Sequence, residues 1–208
     1  LTILKNRSLN TTNINLLIAT SRNISSDHHK ANVLKAALAS QGLSKSGHRA
    51  LIESMGDISS DHHSASILTD LLNQEMDSGA LAQLLQLADR NMSSDHHKGE
   101  VLRKVVKNQS MEDGNLDVLL SAIKGMGSDN HQAEVFRQLA KRSLSSDQLV
   151  NILAATKSVG SDHHQAESLM AFAAAVSEQG NAAKEAYREA CSNISSESHY
   201  GRAIRAVQ

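Results

Sequence analysis

The sequence predicts an all-α fold: a right-handed α-α superhelix (solenoid) of about six helix-pair repeats of 34 residues. Three observations carry this expectation. A Ser-Asp-His-His motif returns along the chain at a nearly constant step. Apolar residues between its copies fall at helical spacing. The 208 residues also include no proline and only 2% aromatics, where average usage would place about ten prolines. β-Sandwiches and barrels lean on aromatics and turn prolines and are excluded on the same count.

The motif opens as Ser26-Asp27-His28-His29. It returns as Ser60-Asp61-His62-His63, Ser94-Asp95-His96-His97, Ser128-Asp129-Asn130-His131, Ser161-Asp162-His163-His164 and Ser196-Glu197-Ser198-His199. Its acidic slot advances in steps of 34, 34, 34, 33 and 35 residues. A fixed period of this size marks units that cannot bury an apolar face alone and do so by stacking. The expected organisation is a single array over 1–208, with a partial first repeat at 1–24, repeats starting near 25, 59, 93, 127 and 160, and a partial last repeat at 195–208.

Each unit reads as two helices. The first follows the motif and carries a buried stripe: Val33, Leu34, Ala37 and Leu38, then Ile67, Leu68, Leu71 and Leu72, then Val101, Leu102, Val105 and Val106. This i, i+1, i+4, i+5 pattern is one face of an α-helix. A polar break follows, at Gln41-Gly42, Asp77-Ser78-Gly79, Glu112-Asp113-Gly114 and Glu178-Gln179-Gly180. The second helix repeats an apolar residue in one slot: Leu51, Leu85, Leu119, Ile152 and Tyr187.

Between units, Asn23, Asp57, Asn91, Gly125, Ser158 and Asn193 share the slot where a left-handed residue would close a helix. An apolar residue follows each (Ile24, Ile58, Met92, Met126, Val159, Ile194), as when a C-terminal cap packs back on its helix. The constant serine is then an N-cap for the next helix, and the acid after it sits where the helix dipole favours negative charge. Ser26, Ser60, Ser94, Ser128, Ser161 and Ser196, with Asp27, Asp61, Asp95, Asp129 and Asp162, are therefore junction residues.

On these residues the chain resembles the HEAT and armadillo class of helical-pair repeats over essentially its whole length. The Trp, Leu-Gly, Tyr and Pro signature of tetratricopeptide repeats is absent, as is the Thr-Pro-Leu-His signature of ankyrin repeats. The run Ile24-Ser25-Ser26-Asp27-His28-His29-Lys30-Ala31-Asn32-Val33-Leu34 is also similar to an Ile-Ser-Ser-Asp repeat of bacterial envelope proteins, including extracytoplasmic parts of sensor-type membrane metallopeptidases. His28 stands where that repeat commonly has an aromatic, and no protease motif is present. The resemblance implies a helper or sensor module and an extracytoplasmic or periplasmic location.

The charge balance of 21 basic against 22 acidic residues leaves no electrostatic footprint for nucleic acid or an anionic membrane. No apolar run reaches the length of a membrane span. Cys191 is the single cysteine, so no intrachain disulfide can form. The opening Leu1-Thr2-Ile3-Leu4 suggests a piece of a longer polypeptide. No cofactor and no enzymatic activity are expected.

Ten of the eleven histidines lie in the motif. The second slot is constant (His29, His63, His97, His131, His164, His199), and the first varies (His28, His62, His96, Asn130, His163, Ser198). A structural reading gives the constant imidazole a bond to the preceding junction backbone, as Glu makes in a capping box, and has its ring fill space between repeats. A metal reading would draw on His28, His29, His62, His63, His96 and His97. Against it, consecutive helical side chains diverge by about 100°. Equivalent rings in stacked repeats run parallel, so convergence needs a first-slot ring to meet a second-slot ring of the next unit. A pH-sensing role is a third reading, since histidines at positive helix ends would strain every junction on protonation. The adjacency of Ser, Asp and His is not a triad, which requires convergence in space. Nor does Asp-His-His, repeated at helix starts, suit the phosphoesterase metal motif it resembles.

A protein or peptide partner is expected on the face of the second helices, the alternatives being a metal- or pH-responsive module and a structural spacer. Gln83, Gln86, Asp117, Ser121, Asn151 and Lys157 decorate that face, and His48 and Arg49, on a solvated side of their helix beside Glu53, are further binding candidates on it. Tyr187 and Cys191 read as packing residues.

Overall fold

Thirteen α-helices and one 3-10 turn make up the regular structure of residues 10–40 and 43–208, the residues that the computed structural model describes, and no strand occurs among them. The first nine residues of the expected partial first repeat and the break at Gln41-Gly42 lie outside the described residues. In chain order the helices are α1 (Thr11–Ser21), α2 (Asp27–Leu38), α3 (Lys45–Ser54), α4 (Asp61–Leu71), α5 (Ser78–Asn91), α6 (Asp95–Asn108) and α7 (Asp113–Lys124). They continue as α8 (Asp129–Leu139), α9 (Ser146–Ala155), α10 (Asp162–Ala171), α11 (Ala173–Glu178), α12 (Asn181–Cys191) and α13 (Glu197–Arg205). A 3-10 turn, Thr156–Ser158, extends α9.

The chain gathers into two units, Leu1–Asn115 and Leu116–Gln208. In the first, α2, α4 and α6 pack side by side, each on its counterpart one repeat further on, and α1, α3 and α5 do the same in a second layer. In the second unit α10 packs between α8 and α13, and α9 packs on α12. Packing of each helix on its sequence equivalent is the contact scheme of a helical repeat. Counting repeats from the one that starts near 25, the expected first helix of the fifth repeat is divided into α10 and α11 at Phe172, whose ring is fully buried in the break.

The apolar stripes fill the space between layers. Leu34, Ala37, Ile67, Leu68, Leu71, Leu72, Val101, Leu102, Val105 and Val106 are fully buried, as are Leu51, Leu85, Leu119, Ile152 and Tyr187 in the constant second-helix slot. Val33 is only half-buried. The slot after each second helix is buried at Ile58, Met92, Met126, Val159 and Ile194, so the junction does pack back onto the core.

The route into that slot differs from the expected left-handed cap. Among the described residues only Gly180 has a positive φ, of 88°, so none of Asn23, Asp57, Asn91, Gly125, Ser158 and Asn193 is left-handed. The second helices instead tighten by i→i−3 bonds. Ile24 N–H donates to Ser21 O (3.0 Å), Ile58 N–H to Met55 O (2.9 Å), and Ile194 N–H to Cys191 O (2.9 Å). Asn, Asp, Gly and Ser are favoured in ordinary turns as well as in left-handed caps, and here the ordinary turn prevails. The serines behave as N-caps in five copies, Ser26, Ser60, Ser94, Ser128 and Ser161 each accepting from the backbone N–H three residues on. Ser196 makes no such bond, its hydroxyl lying 3.1 Å from that of Ser198.

The acid after the serine does more than complement a dipole. Asp27 Oδ2 accepts from Ser59 N–H (3.1 Å), Ser59 Oγ–H (2.8 Å) and Ser60 N–H (2.9 Å), all one repeat ahead. Asp61 Oδ2 takes the same three donors from Ser93 and Ser94, at 3.0, 3.0 and 2.6 Å. In the second unit Asp129 accepts from Gly160 N–H (2.8 Å), and Asp162 accepts from Ser195 N–H (3.2 Å) and Ser196 N–H (2.7 Å). These amides are the orphan donors that precede a helix, and an ionised acceptor makes the stronger class of hydrogen bond.

A glutamine performs the complementary task at the opposite end of the first helices. Gln74 Nε2 donates to Leu38 O (3.3 Å), Gln109 Nε2 to Leu72 O (3.1 Å) and Gln74 O (2.9 Å), and Gln179 Nε2 to Leu144 O (2.7 Å). Each satisfies a carbonyl left over where the preceding repeat's first helix ends or turns.

Three outcomes follow from these bonds. Asp61→Ala will lower unfolding free energy by about 1.5–3 kcal/mol in urea titration, and Asp61→Asn, which keeps one acceptor, by less. Gly160→Ser will raise stability by about 0.5–1 kcal/mol. A Cβ at Gly160 stands 3.5 Å from Asp129 Oδ1 with room to spare, and a serine there supplies the hydroxyl that Ser59 offers to Asp27. The Asp27 carboxyl is held below its ordinary value, first by the Ser59 hydroxyl and then by the Ser60 and Ser59 amides. A lowered folded value means that its contribution is complete above the unfolded value, about 3.9, and is lost as pH falls through the folded one. The melting-temperature gap between the wild type and Asp27→Asn will therefore be constant from about pH 5 to 7 and close below about pH 4.

Candidate functional site

The serine caps and the helix starts place every motif histidine in a first turn. From there the imidazoles of consecutive repeats meet. The His28 ring lies 5.7 Å from that of His63, His62 lies 5.6 Å from His97, and in the second unit His163 lies 5.4 Å from His199. Within a motif the two rings stand 5.4 Å apart in His28–His29, 5.5 Å in His62–His63, 5.1 Å in His96–His97 and 5.0 Å in His163–His164. In the first unit the rings of His29, His28, His63, His62, His97 and His96 thus form one continuous line. The condition for convergence, first slot against the next repeat's second slot, is met. The first-slot rings are exposed, while His63, His97, His164 and His199 are half-buried between repeats.

The imidazole half of the expected capping box is not formed at His97, His164 and His199. Nδ1 of each is buried without a hydrogen-bond partner, although the serine half is present at His97 and His164. The donor such a bond would need is already engaged at two of these junctions: the Ser94 amide donates to Asp61 and the Ser196 amide to Asp162. Space filling between repeats is what the second-slot ring supplies. In two repeats Nδ1 stands beside a carboxylate three residues on: His131 Nδ1 is 3.2 Å from Glu134 Oε2, and His97 Nδ1 is 3.7 Å from Glu100 Oε2. The aspartates Asp27, Asp61, Asp129 and Asp162 face the next junction's amides, so the side-by-side Ser, Asp and His do not assemble as a triad. Of the six histidines considered as ligands, His96 and His97 come together with Glu100, which was not anticipated, with ligand atoms all within 4.8 Å of one another.

Two shallow grooves run between successive second helices, one in each unit. Ile52, Glu53 and Gly56 of α3 and the turn after it face Gln83, Gln86, Leu87, Arg90 and Asn91 of α5 across a space of about 220 Å³. Asp117, Leu120, Ser121 and Lys124 of α7 face Asn151, Ala154 and Ala155 of α9 across about 380 Å³. Five of the residues expected on this face, Gln83, Gln86, Asp117, Ser121 and Asn151, line these grooves; all five except Asp117 are uncharged, and all are exposed. Each groove also carries one acid and one base, Glu53 with Arg90 and Asp117 with Lys124, so neither has a dominant sign.

The other three expected residues are placed differently. His48 is not on a solvated side: it is 4% exposed, and its Nε2 lies 2.9 Å from Gln74 Oε1. Its Nδ1 is buried with no partner. Arg49 is exposed but pairs with Asp77 (2.8 Å), the N-cap of α5, and holds that carboxyl below its ordinary value. Lys157 pairs with Glu189 one repeat on. These three tie neighbouring repeats and leave the grooves to the amides and hydroxyls.

A further slot escaped the sequence reading, three residues after the aspartate. Lys98 Nζ donates to Asp89 O (3.0 Å), Gln132 Nε2 to Met126 O (2.6 Å) and Gln165 Nε2 to Ala190 O (3.2 Å), closing the ends of second helices. All three are at most 5% exposed. The signal was visible as a long polar side chain recurring beside a buried stripe. Tyr187 and Cys191 are packing residues as expected: the tyrosine hydroxyl donates to Ala203 O (2.9 Å), and burial pushes the Cys191 thiol up to about 11. No described helix is long and apolar enough to cross a membrane. The chain matches no protein-family model, no curated protein and no solved structure.

Proposed function

We propose that the chain is a non-catalytic recognition module: a run of about six helix-pair repeats of the right-handed α-superhelix kind, holding a protein or peptide on the face of its second helices. One observation carries the reading. Gln83, Gln86, Asp117, Ser121 and Asn151 are exposed in the two grooves, and their side chains make no hydrogen bond among the described residues. Side-chain amides offer both donors and acceptors, which suits the backbone of an extended segment. The groove between α3 and α5, at about 220 Å³, is smaller than the cavities that enclose drug-sized ligands, and both grooves are open strips without an aromatic wall. Stacked repeats present such strips at regular intervals, which is how arrays resembling HEAT and armadillo proteins engage long partners.

Selection of peptides from a displayed random library on the 208-residue chain tests this directly. Selected peptides will lose at least about tenfold in affinity (about 1.4 kcal/mol) to Gln86→Arg or Asn151→Arg and keep it with Lys107→Glu on a first helix. A selection that returns no binder, or binders indifferent to both groove substitutions, overturns the assignment.

A further inference from the structure

The line of imidazoles is the feature that a recognition surface on the second helices leaves unused, and its third-repeat pair carries chemistry of its own. We propose that His96, His97 and Glu100 form a binding site for a divalent first-row transition ion, zinc or nickel in particular.

The three residues occupy the first turn and a half of α6, and their ligand atoms all lie within 4.8 Å of one another. His97 Nδ1 is buried without a hydrogen-bond partner and stands 3.7 Å from Glu100 Oε2, too far for a hydrogen bond. Two ligands bonded to one ion at about 2.0–2.2 Å in a tetrahedral arrangement stand about 3.3–3.6 Å apart. At 3.7 Å the pair stands just outside that spacing, so a small side-chain shift brings both atoms onto one cation. His96 is four residues from Glu100, so the two share a helix face. Two imidazole nitrogens and one carboxylate suit zinc or nickel, and the exposed side of His96 leaves a position for water.

The equivalent positions elsewhere show why this repeat is singled out. In the fourth repeat Glu134 is hydrogen-bonded to His131 (3.2 Å), and the first slot is Asn130. In the fifth, His163, His164 and Glu167 repeat the three residue types, but the carboxylate of Glu167 is held by Arg202 at 2.8 Å. In the first, the carboxylate slot is Asn32, whose Nδ2 lies 3.1 Å from His28 Nε2. In the second it is Ser66, which accepts from Lys35. Among the described residues, only the third repeat combines both histidines with a carboxylate that is not already engaged by a cation.

Calorimetric titration of zinc chloride, and separately nickel chloride, into the whole chain at pH 7.5 tests the site, with melting temperature followed in parallel. One site tighter than the background of histidine pairs is expected, with a zinc-induced rise in melting temperature. His97→Ala and Glu100→Gln should each weaken that site at least tenfold and abolish the rise, whereas Glu167→Gln should leave both unchanged. Glu100 is half exposed, so its exchange for Gln leaves the helix in place, and circular dichroism in EDTA checks this. Absence of a tight site in the wild type, zinc affinity in Glu100→Gln equal to the wild type, or an equal loss in Glu167→Gln overturns the assignment.

Discussion

The interaction on which the rest depends is a carboxylate reaching one repeat ahead. Every helix start leaves amides without an acceptor, and a stack of short helices multiplies that deficit. At the helix starts after Ser60, Ser94 and Ser161 the Ser-Asp motif removes it from both sides: the serine hydroxyl caps its own helix, and the aspartate of the preceding repeat takes amides just before that helix. Asp27 and Asp61 each accept three hydrogen bonds on one oxygen, from Ser59 and Ser60 and from Ser93 and Ser94. An ionised acceptor that is only partly exposed contributes more than a surface ion pair, which is screened and costs side-chain entropy. The lateral pairs Arg22–Glu53, Lys35–Asp70 and Lys157–Glu189 are of that weaker kind.

Fixing the junction in this way also fixes the histidines. Once the aspartate is committed to the next repeat, the two residues after it stand on the edge of the seam, and the translation between repeats brings the first ring of one against the second ring of the next. The glutamines at the far end of the first helices, Gln74, Gln109 and Gln179, keep that translation uniform by holding the carbonyls of the preceding turn. Between these two polar seams the apolar stripes do the bulk of the packing. The second-helix grooves are what remains, and Gln83, Gln86, Asp117, Ser121 and Asn151 are groove side chains without a bond inside the fold.

Much of this was legible in the residues. The period gave the helix pairs, and the constant slots gave the caps and the core, because serine before a helix and Leu at i, i+4 have local causes. What escaped had non-local causes. The partner of Asp27 is a backbone amide 32 residues away, and an amide has no residue type to betray it. The left-handed cap was misjudged because the same small polar residues serve ordinary turns. His48 was misplaced because a single apolar slot does not fix the rotation of a ten-residue helix, and the partner that buries it, Gln74, belongs to the next turn. The set of His96, His97 and Glu100 escaped because adjacent residues on an ideal helix diverge, whereas their side chains turn back toward one another here.

The junction carboxylate has a consequence for how such a chain can change in length. Asp27 asks only for two amides and a hydroxyl one step on, and Ser59-Ser60 and Ser93-Ser94 present the same donors. Excision of one whole period between equivalent positions would hand Asp27 the donors now used by Asp61 and orphan neither carboxylate nor amide. The histidine line would close in the same register, and the buried slots would meet residues of their own kind. The array is built so that a gain or loss of one unit is a tolerated event, whereas a gain or loss of one residue within a junction is not.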